Sequence, residues 1–276
     1  MGFSVFLPTD VTILDKLART VLMFDSALMM GLLMVTGFIL LPRANRHFAH
    51  LLLLTFSTML VNTILKHWFA VPLAPNLGVG FAFPSGHMQF AAAFYVWLMF
   101  LDIPRWSKAI MVLILCLIAP SMVHFGYHNW TEIGAGALVG GAGAYLYWVV
   151  LSRLRTRGAS DTSMCVIISV LDIALMFGMF YQMGWAHIPG HVWMAFYLVL
   201  GFSLTWRQNV ETHGRRWFGL GLAMGVVVIA AALAKELRYA QAVHIAFSQL
   251  PYLLVGVMLP MVQTWQAQQS AQRRLL

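Results

Sequence analysis

Nine apolar runs follow one another along the chain, each about 15 to 22 residues long, with only short polar segments between them. An apolar helix of about 20 residues is long enough to cross the hydrocarbon core of a bilayer. Hydrophobic residues make up 61% of the chain and charged residues only 9%, which excludes an ordinary soluble domain. The sequence therefore predicts an all-α fold, a polytopic integral membrane helix bundle with about nine transmembrane helices. We place the spans at about 20–41, 48–69, 87–101, 109–123, 132–151, 164–183, 191–206, 217–233 and 243–261.

The basic residues predict how this bundle is oriented. If successive loops alternate between the two membrane surfaces, five of the 17 Lys and Arg residues lie on one side and all the others on the opposite side. Because short cytoplasmic loops are rich in Lys and Arg, the side with more of them is predicted to be cytoplasmic. The net charge of +8 then reflects orientation in a bacterial inner membrane, and we expect no binding to nucleic acid.

A short cluster, Phe83-Pro84-Ser85-Gly86-His87, stands directly before the third apolar run. Ser85 is a favourable N-cap, and Pro84 fits just outside a helix start. Gly86 lets a ligand approach the backbone closely. The free N–H groups and the positive dipole end of a helix N-terminus favour an anion. A hydroxyl, a bare N–H and an imidazole in this place indicate phosphate chemistry. The alternative is a loop that only caps a membrane helix.

A second cluster follows the fourth apolar run, where Gly126, His128 and Glu132 lie close together in sequence. If a helix begins near His128, Glu132 lies one turn away on the same face. A carboxylate that accepts a hydrogen bond from one imidazole nitrogen fixes the tautomer and leaves the other nitrogen as a nucleophile or base. The alternating loops place both clusters, together with Lys66, on the outer face, which is the periplasm in a bacterium.

These residues resemble the motifs of the type 2 phosphatidic acid phosphatase superfamily, which includes lipid phosphate phosphatases and vanadium haloperoxidases. The family carries three motifs in order. The first is Lys, six residues and Arg-Pro, and the second is Pro-Ser-Gly-His. The third is Ser-Arg, five residues, His, three residues and Asp. The second motif is complete at 84–87, and Lys66, Ser121 and His128 match in spacing. Glu132 stands in place of Asp. The resemblance covers roughly the first 155 residues.

The resemblance implies a role for each matching residue. His128 attacks phosphorus and becomes a phosphohistidine, Glu132 orients it, and His87 protonates the leaving oxygen and then activates water or an acceptor hydroxyl. The phosphoryl oxygens are held by Lys66, Ser85, Gly86 and Ser121. No metal or other cofactor is expected, and the two cysteines, which both lie inside apolar runs, have no metal-site spacing.

Two arginines of the family pattern are absent, since Met122 and Leu73-Ala74 stand in their places. Arginine binds phosphate through a bidentate, permanently charged fork, so this loss matters. Three explanations remain open. Another cation substitutes, and we expect Arg238 or Lys235, with His124 and His67 also close in sequence. Alternatively the substrate carries less charge, as a phosphodiester does, or the site binds without turnover.

Two further patterns concern the interior of the bundle. Asp25 and Asp172 fall within predicted spans, where a carboxylate is either functional or neutral and hydrogen-bonded between helices. The small residues of 134–144 predict close packing against a neighbouring helix just behind Glu132.

The sequence predicts three regions and two alternative functions. Residues 1–19 form an N-terminal interfacial segment, 20–155 the phosphatidic acid phosphatase-like membrane core, and 156–276 an additional four-helix membrane region. The first function is a lipid phosphatase or phosphotransferase of the outer face, with a membrane lipid as substrate. The second is a catalytically degenerate protein that binds lipid, transports it or acts as a scaffold. The sequence identifies no protein partner.

Overall fold

The computed structural model describes residues 12–40 and 45–183, together with residues 190, 192–193, 196–197, 199–201, 249, 252–254 and 256–257. Most of these residues are helical and none of them lies in a β-strand, so the predicted all-α class is confirmed for them. Two single 3-10 turns, Met23–Asp25 and Pro75–Leu77, lie between helices. The α-helices are α1 (Ile13–Leu22), α2 (Ala27–Leu40), α3 (Asn45–Phe69), α4 (Gly86–Leu98), α5 (Arg105–His124), α6 (Trp130–Thr156) and α7 (Asp161–Met183).

Three of these helices are long and apolar enough to cross a membrane, namely Arg46–Phe69, Arg105–His124 and Trp130–Thr156. They correspond to the second, fourth and fifth predicted spans. α7 contains a shorter apolar stretch, Ser163–Met179. The total of nine spans stays a prediction, because the last three predicted spans lie largely outside the described residues.

The first predicted span, 20–41, is divided in the structure. α1 ends at Leu22, the 3-10 turn Met23–Asp25 follows, and α2 begins at Ala27. The break occurs at Ser26, whose backbone is extended with a ψ of 141°. Its hydroxyl accepts a hydrogen bond from the Met29 N–H at 3.2 Å, so Ser26 caps the new helix. α1 is therefore a separate amphipathic helix that exposes Ile13, Leu14 and Leu17.

The central helix is α4, which the sequence placed among the membrane spans. It has only 13 residues, and most of its side chains are buried against α3, α5 and α6. α6 approaches it most closely through Gly136 and Gly140, where a Cβ atom would collide with the backbone carbonyls of Ser85 and Gln89. The predicted close packing of 134–144 is thus confirmed at Gly136 and Gly140, whereas an added Cβ at Gly134 or Gly143 would meet nothing within 4 Å. This packing brings the N-termini of α4 and α6 together.

Candidate active site

His128 and Glu132 form a buried pair at the start of α6. The His128 Nδ1 atom lies 2.7 Å from Glu132 Oε2, and both side chains are about nine-tenths buried. A capping box with Asn129 as N-cap fixes the carboxylate. The Asn129 side-chain amide donates to Glu132 Oε1 at 2.8 Å, and its own Oδ1 accepts from the Glu132 N–H at 2.9 Å. Glu132 is thereby held in one orientation before any substrate binds.

The surroundings of His128 favour a neutral imidazole. Burial lowers the pKa of His128, and the charges of His87 and Lys66 lower it further, while the hydrogen bond and charge of Glu132 oppose this shift. Because Glu132 accepts from Nδ1, the proton of the neutral ring lies on Nδ1 and the lone pair on Nε2. His128 can therefore act as a nucleophile through Nε2.

The N-terminus of α4 lies beside this pair. Ser85 is its N-cap, as predicted, and its Oγ accepts from the Met88 N–H at 3.4 Å. The Ser85 N–H donates to the Glu132 backbone carbonyl at 3.1 Å, which joins the two sequence clusters directly. His87, in the first turn of α4, is exposed. The first-turn N–H groups of α4 thus stand next to two imidazoles, an arrangement suited to a phosphoryl group.

A buried amide network holds the α4 N-terminus in place. Asn62 of α3 donates to Gln89 Oε1 at 2.8 Å and to the Pro84 carbonyl at 3.4 Å. A Cβ atom on Gly86 would approach Asn62 Oδ1 to 2.9 Å. A side chain at position 86 would therefore displace Asn62 from its hydrogen bonds, so packing favours glycine here.

Lys66 reaches the same site from the end of α3. Its Nζ donates to the Phe81 carbonyl at 2.8 Å, and its charge interacts with Glu132 and His128. Tertiary packing thus brings together Lys66, Ser85, His87, His128 and Glu132, which come from three separate parts of the chain. Among the described residues, no three His, Cys, Asp or Glu side chains are arranged to hold a metal ion.

Other predicted ligands are placed differently. The Ser121 hydroxyl donates to the Leu117 carbonyl of its own helix at 2.8 Å. Met122, at the position of a family arginine, is buried with its sulfur 3.9 Å from Ser85 Oγ. Arg238 and Lys235 lie outside the described residues, so their approach to the site stays a prediction.

Sequence reasoning missed the contribution of α1. His124 Nε2 lies 2.8 Å from Asp15 Oδ1, and the Arg19 guanidinium carbon lies 5.4 Å from the centre of the Phe125 ring. Phe125 stacks in turn on Tyr127, directly before His128. α1 therefore contacts the segment that leads to His128. No local sequence pattern predicts contacts between residues more than 100 positions apart.

Comparison with known proteins agrees with this geometry. Residues 47–156 match the PAP2 superfamily. A protein of Bacteroides thetaiotaomicron described as lipid A 4'-phosphatase is 32% identical over 85 residues, which are 31% of this chain and 38% of that relative. The match therefore spans less than half of the relative's length. No solved structure matches the chain. The match over residues 47–156 confirms the resemblance to this superfamily that the motifs predict.

Proposed function

We propose that this protein is a membrane-embedded lipid phosphatase or phosphotransferase that works through a phosphohistidine on His128. The observation that carries the proposal is the buried His128–Glu132 pair, joined through the Ser85 N–H to the α4 N-terminus. A nucleophile, a carboxylate that orients it, a second imidazole and an ammonium group meet at one anion-binding helix start. The name of the Bacteroides relative supports a lipid phosphate as substrate.

The proposed reaction has two steps. His128 Nε2 attacks phosphorus, the P–O bond to the leaving group breaks, and that oxygen takes a proton from His87. Water or an acceptor hydroxyl then attacks the phosphohistidine after giving a proton to His87, and the P–N bond breaks. Glu132 stabilises the positive charge that develops on His128. Lys66, the Ser85 hydroxyl and the Gly86 N–H stabilise the phosphoryl oxygens.

We place this reaction at the periplasmic face of the inner membrane. The support is the distribution of Lys and Arg, which are concentrated in the loops opposite the site. The helix ends that carry Lys66, His87 and Glu132 meet in the structure, which supports placing them at one membrane surface. Cysteine labelling of single variants at the exposed Val79 and Arg157 with a membrane-impermeant reagent tests the orientation.

The second candidate is a degenerate family member that binds, transports or scaffolds lipid. Met122 favours it, because its side chain fills the place beside Ser85 without supplying a charge. Charged hydrogen bonds contribute about 1.5–3 kcal/mol each. Losing two arginines would slow phosphoryl transfer by about 10²–10⁴ unless other cations replace them.

Phosphate release from defined lipids in detergent tests the proposal. We expect turnover of phosphatidic acid, phosphatidylglycerophosphate, polyprenyl diphosphate or a lipid A phosphate, and its abolition in His128→Ala. A matched His87→Asn variant should still form the phosphohistidine from an aryl phosphate but hydrolyse it slowly, since the nucleophile remains. A wild-type protein inert on all four lipids, with no trapped phosphohistidine, would support the binding function.

The pH profile gives an independent check on the nucleophile. Because the pKa of His128 lies below its ordinary value of 6.5, the imidazole remains neutral at mildly acidic pH. We expect the acid limb of kcat/KM that belongs to His128 to fall below pH 6.5. An acid limb clearly above that value would contradict the assignment of a buried, neutral nucleophile.

A further inference from the structure

The helix α1 presents three sides to its surroundings, and only one of them packs on the rest of the described chain. Ala18 is buried, and α1 packs mainly on α5. Ile13, Leu14 and Leu17 share a second side, because they fall within one arc of about 100° around the helix axis. These three residues are 78%, 60% and 59% exposed. The described residues therefore leave the apolar side of α1 uncovered.

The third side of α1 is basic. Lys16 and Arg19 are exposed, and they lie three residues apart on one face, next to the apolar side. This combination is typical of a helix in the surface layer of a bilayer, where apolar side chains reach the acyl chains and Lys and Arg meet the lipid phosphates. An anionic lipid surface thus complements the apolar and the basic sides together.

The contacts of α1 with α5 place it at the level of a membrane surface. Asp15 Oδ1 lies 2.8 Å from Nε2 of His124, the last residue of α5. The Arg19 guanidinium carbon lies 5.4 Å from the centre of the next ring, Phe125. Arg105–His124 is long and apolar enough to cross a membrane, and the end of such a helix lies near the membrane surface. α1 is therefore held at that level, at the end of the core that carries the candidate site.

The size of the apolar side favours lipid over a protein partner. A stable protein interface buries about 800 Å² on each partner and involves about 20 residues a side. The apolar side of α1 consists of three side chains on little more than one helical turn. A lipid leaflet accepts a single helix of this kind without a shaped partner surface.

We propose that α1 binds the anionic lipid surface of the leaflet beside the candidate site. Ile13, Leu14 and Leu17 enter the boundary between headgroups and acyl chains, and Lys16 and Arg19 contact lipid phosphates. The segment before His128 is thereby linked to the membrane surface through α1. The proposal goes beyond the proposed function, because a lipid phosphatase and a lipid-binding protein would both use this contact.

Fluorescent labelling of single cysteines in phosphatidylglycerol-containing vesicles tests the proposal. Cys116 is exposed and is replaced by serine, whereas Cys165 is buried and is kept. The test variant is Leu14→Cys, and the matched control is Lys16→Cys, on nearly the opposite side of α1. We expect doxyl-labelled lipid to quench the label at position 14 at least about threefold more than the label at position 16, and aqueous iodide to show the reverse preference.

Equal quenching of the two labels by both agents would overturn the proposal. Protection of position 14 from both agents, with energy transfer between labelled copies, would also overturn it, because a second copy of the chain would then cover the apolar side. These readouts need no turnover, so a protein without phosphatase activity would remove the proposed function and leave this test intact.

The lipid composition tests the basic side separately. Lipid quenching at position 14 should be at least about twofold stronger in vesicles with about one-third phosphatidylglycerol than in pure phosphatidylcholine. The double variant Lys16→Gln with Arg19→Gln should remove this difference and keep the apolar side intact. A difference that persists in the double variant would overturn the contact of Lys16 and Arg19 with lipid phosphates.

Discussion

The two ends of the α3–α4–α6 core carry the same kinds of side chain in opposite arrangements. At the end that carries the candidate site, the carboxylate of Glu132 has an imidazole as its direct partner, at 2.7 Å. At the other end, the carboxylate of Asp161 lies between two guanidinium groups, 3.0 Å from Arg46 and 2.9 Å from Arg155. One carboxylate thus orients a histidine, whereas the other is neutralised by arginines.

The histidines differ in the same way. His50 is fully buried, with its Nδ1 atom 3.2 Å from Tyr147 Oη and Cys165 Sγ within 4.0 Å of its ring. The His47 ring stacks on Trp97, and its Nε2 atom forms a hydrogen bond with the Trp97 backbone carbonyl. Both rings are used to hold helices together. His87 is exposed beside a helix start, which leaves it accessible to a substrate. The residue type alone therefore does not distinguish a histidine that could react from one that holds helices together. The hydrogen-bond partners of the ring nitrogens make this distinction.

The largest effect that this comparison predicts is on Glu132. Glu132→Gln keeps the shape of the side chain but removes the negative charge that fixes the His128 tautomer. We expect kcat for phosphate release to fall by about 10²–10⁴. Glu132→Asp is the control, because Asp is the residue of the family motif, and it should stay within about tenfold of wild type. Loss of less than threefold in Glu132→Gln would show that the pair is structural, as at the opposite end.

Close packing behind the site is the next feature to test. A Cβ atom at Gly140 would collide with the Gln89 backbone carbonyl, whereas Gly143 on the same helix has nothing within 4 Å of such an atom. Gly140→Ala should destabilise the protein by about 1–3 kcal/mol and lower its activity, since α4 must move. Gly143→Ala should be neutral or slightly stabilising. Thermal unfolding in detergent measures both, and equal behaviour would contradict the packing of α6 on α4.

At the opposite end, Asp161→Asn should lower stability and leave the chemistry unchanged. Burial alone would raise the pKa of Asp161, but the hydrogen bond and charge of Arg155, with His50 and Arg46, hold it below its ordinary value. Its contribution is therefore present above pH 3.8 and lost as the pH falls through the folded-state pKa. Because the Arg46 and Arg155 side chains are 76% and 44% exposed, solvent weakens both ion pairs, and we expect a loss of about 1–2 kcal/mol. A matching loss of kcat would contradict the separation of the two ends.

Local chemistry in the sequence predicted much of the end that carries the candidate site. Ser85 caps α4, and Glu132 lies one turn after His128, because capping and helical spacing are decided within a few residues. The sequence could not predict that α1 separates at Ser26 or that Asp25 approaches α4. Those features depend on contacts such as Tyr95 with Phe24, between residues 71 positions apart, which only the packed structure creates.

The smallest effect concerns the bond between α1 and the segment before His128. The hydrogen bond with His124 lowers the pKa of Asp15 to about 2, with help from Thr12. A lowered folded-state pKa means that Asp15 stabilises the docked helix above pH 3.8 and that this contribution disappears between about pH 4 and pH 2. Asp15→Asn should abolish that pH dependence and shift overall stability least of all the variants, because the pair is solvated.

Limited proteolysis between Arg19 and Phe24 reports the release of α1. Cleavage that rises in wild type as the pH falls from 4 to 2, but is already high and constant in Asp15→Asn, is the expected result. A pH-independent wild type would show that α1 is held by its apolar face alone.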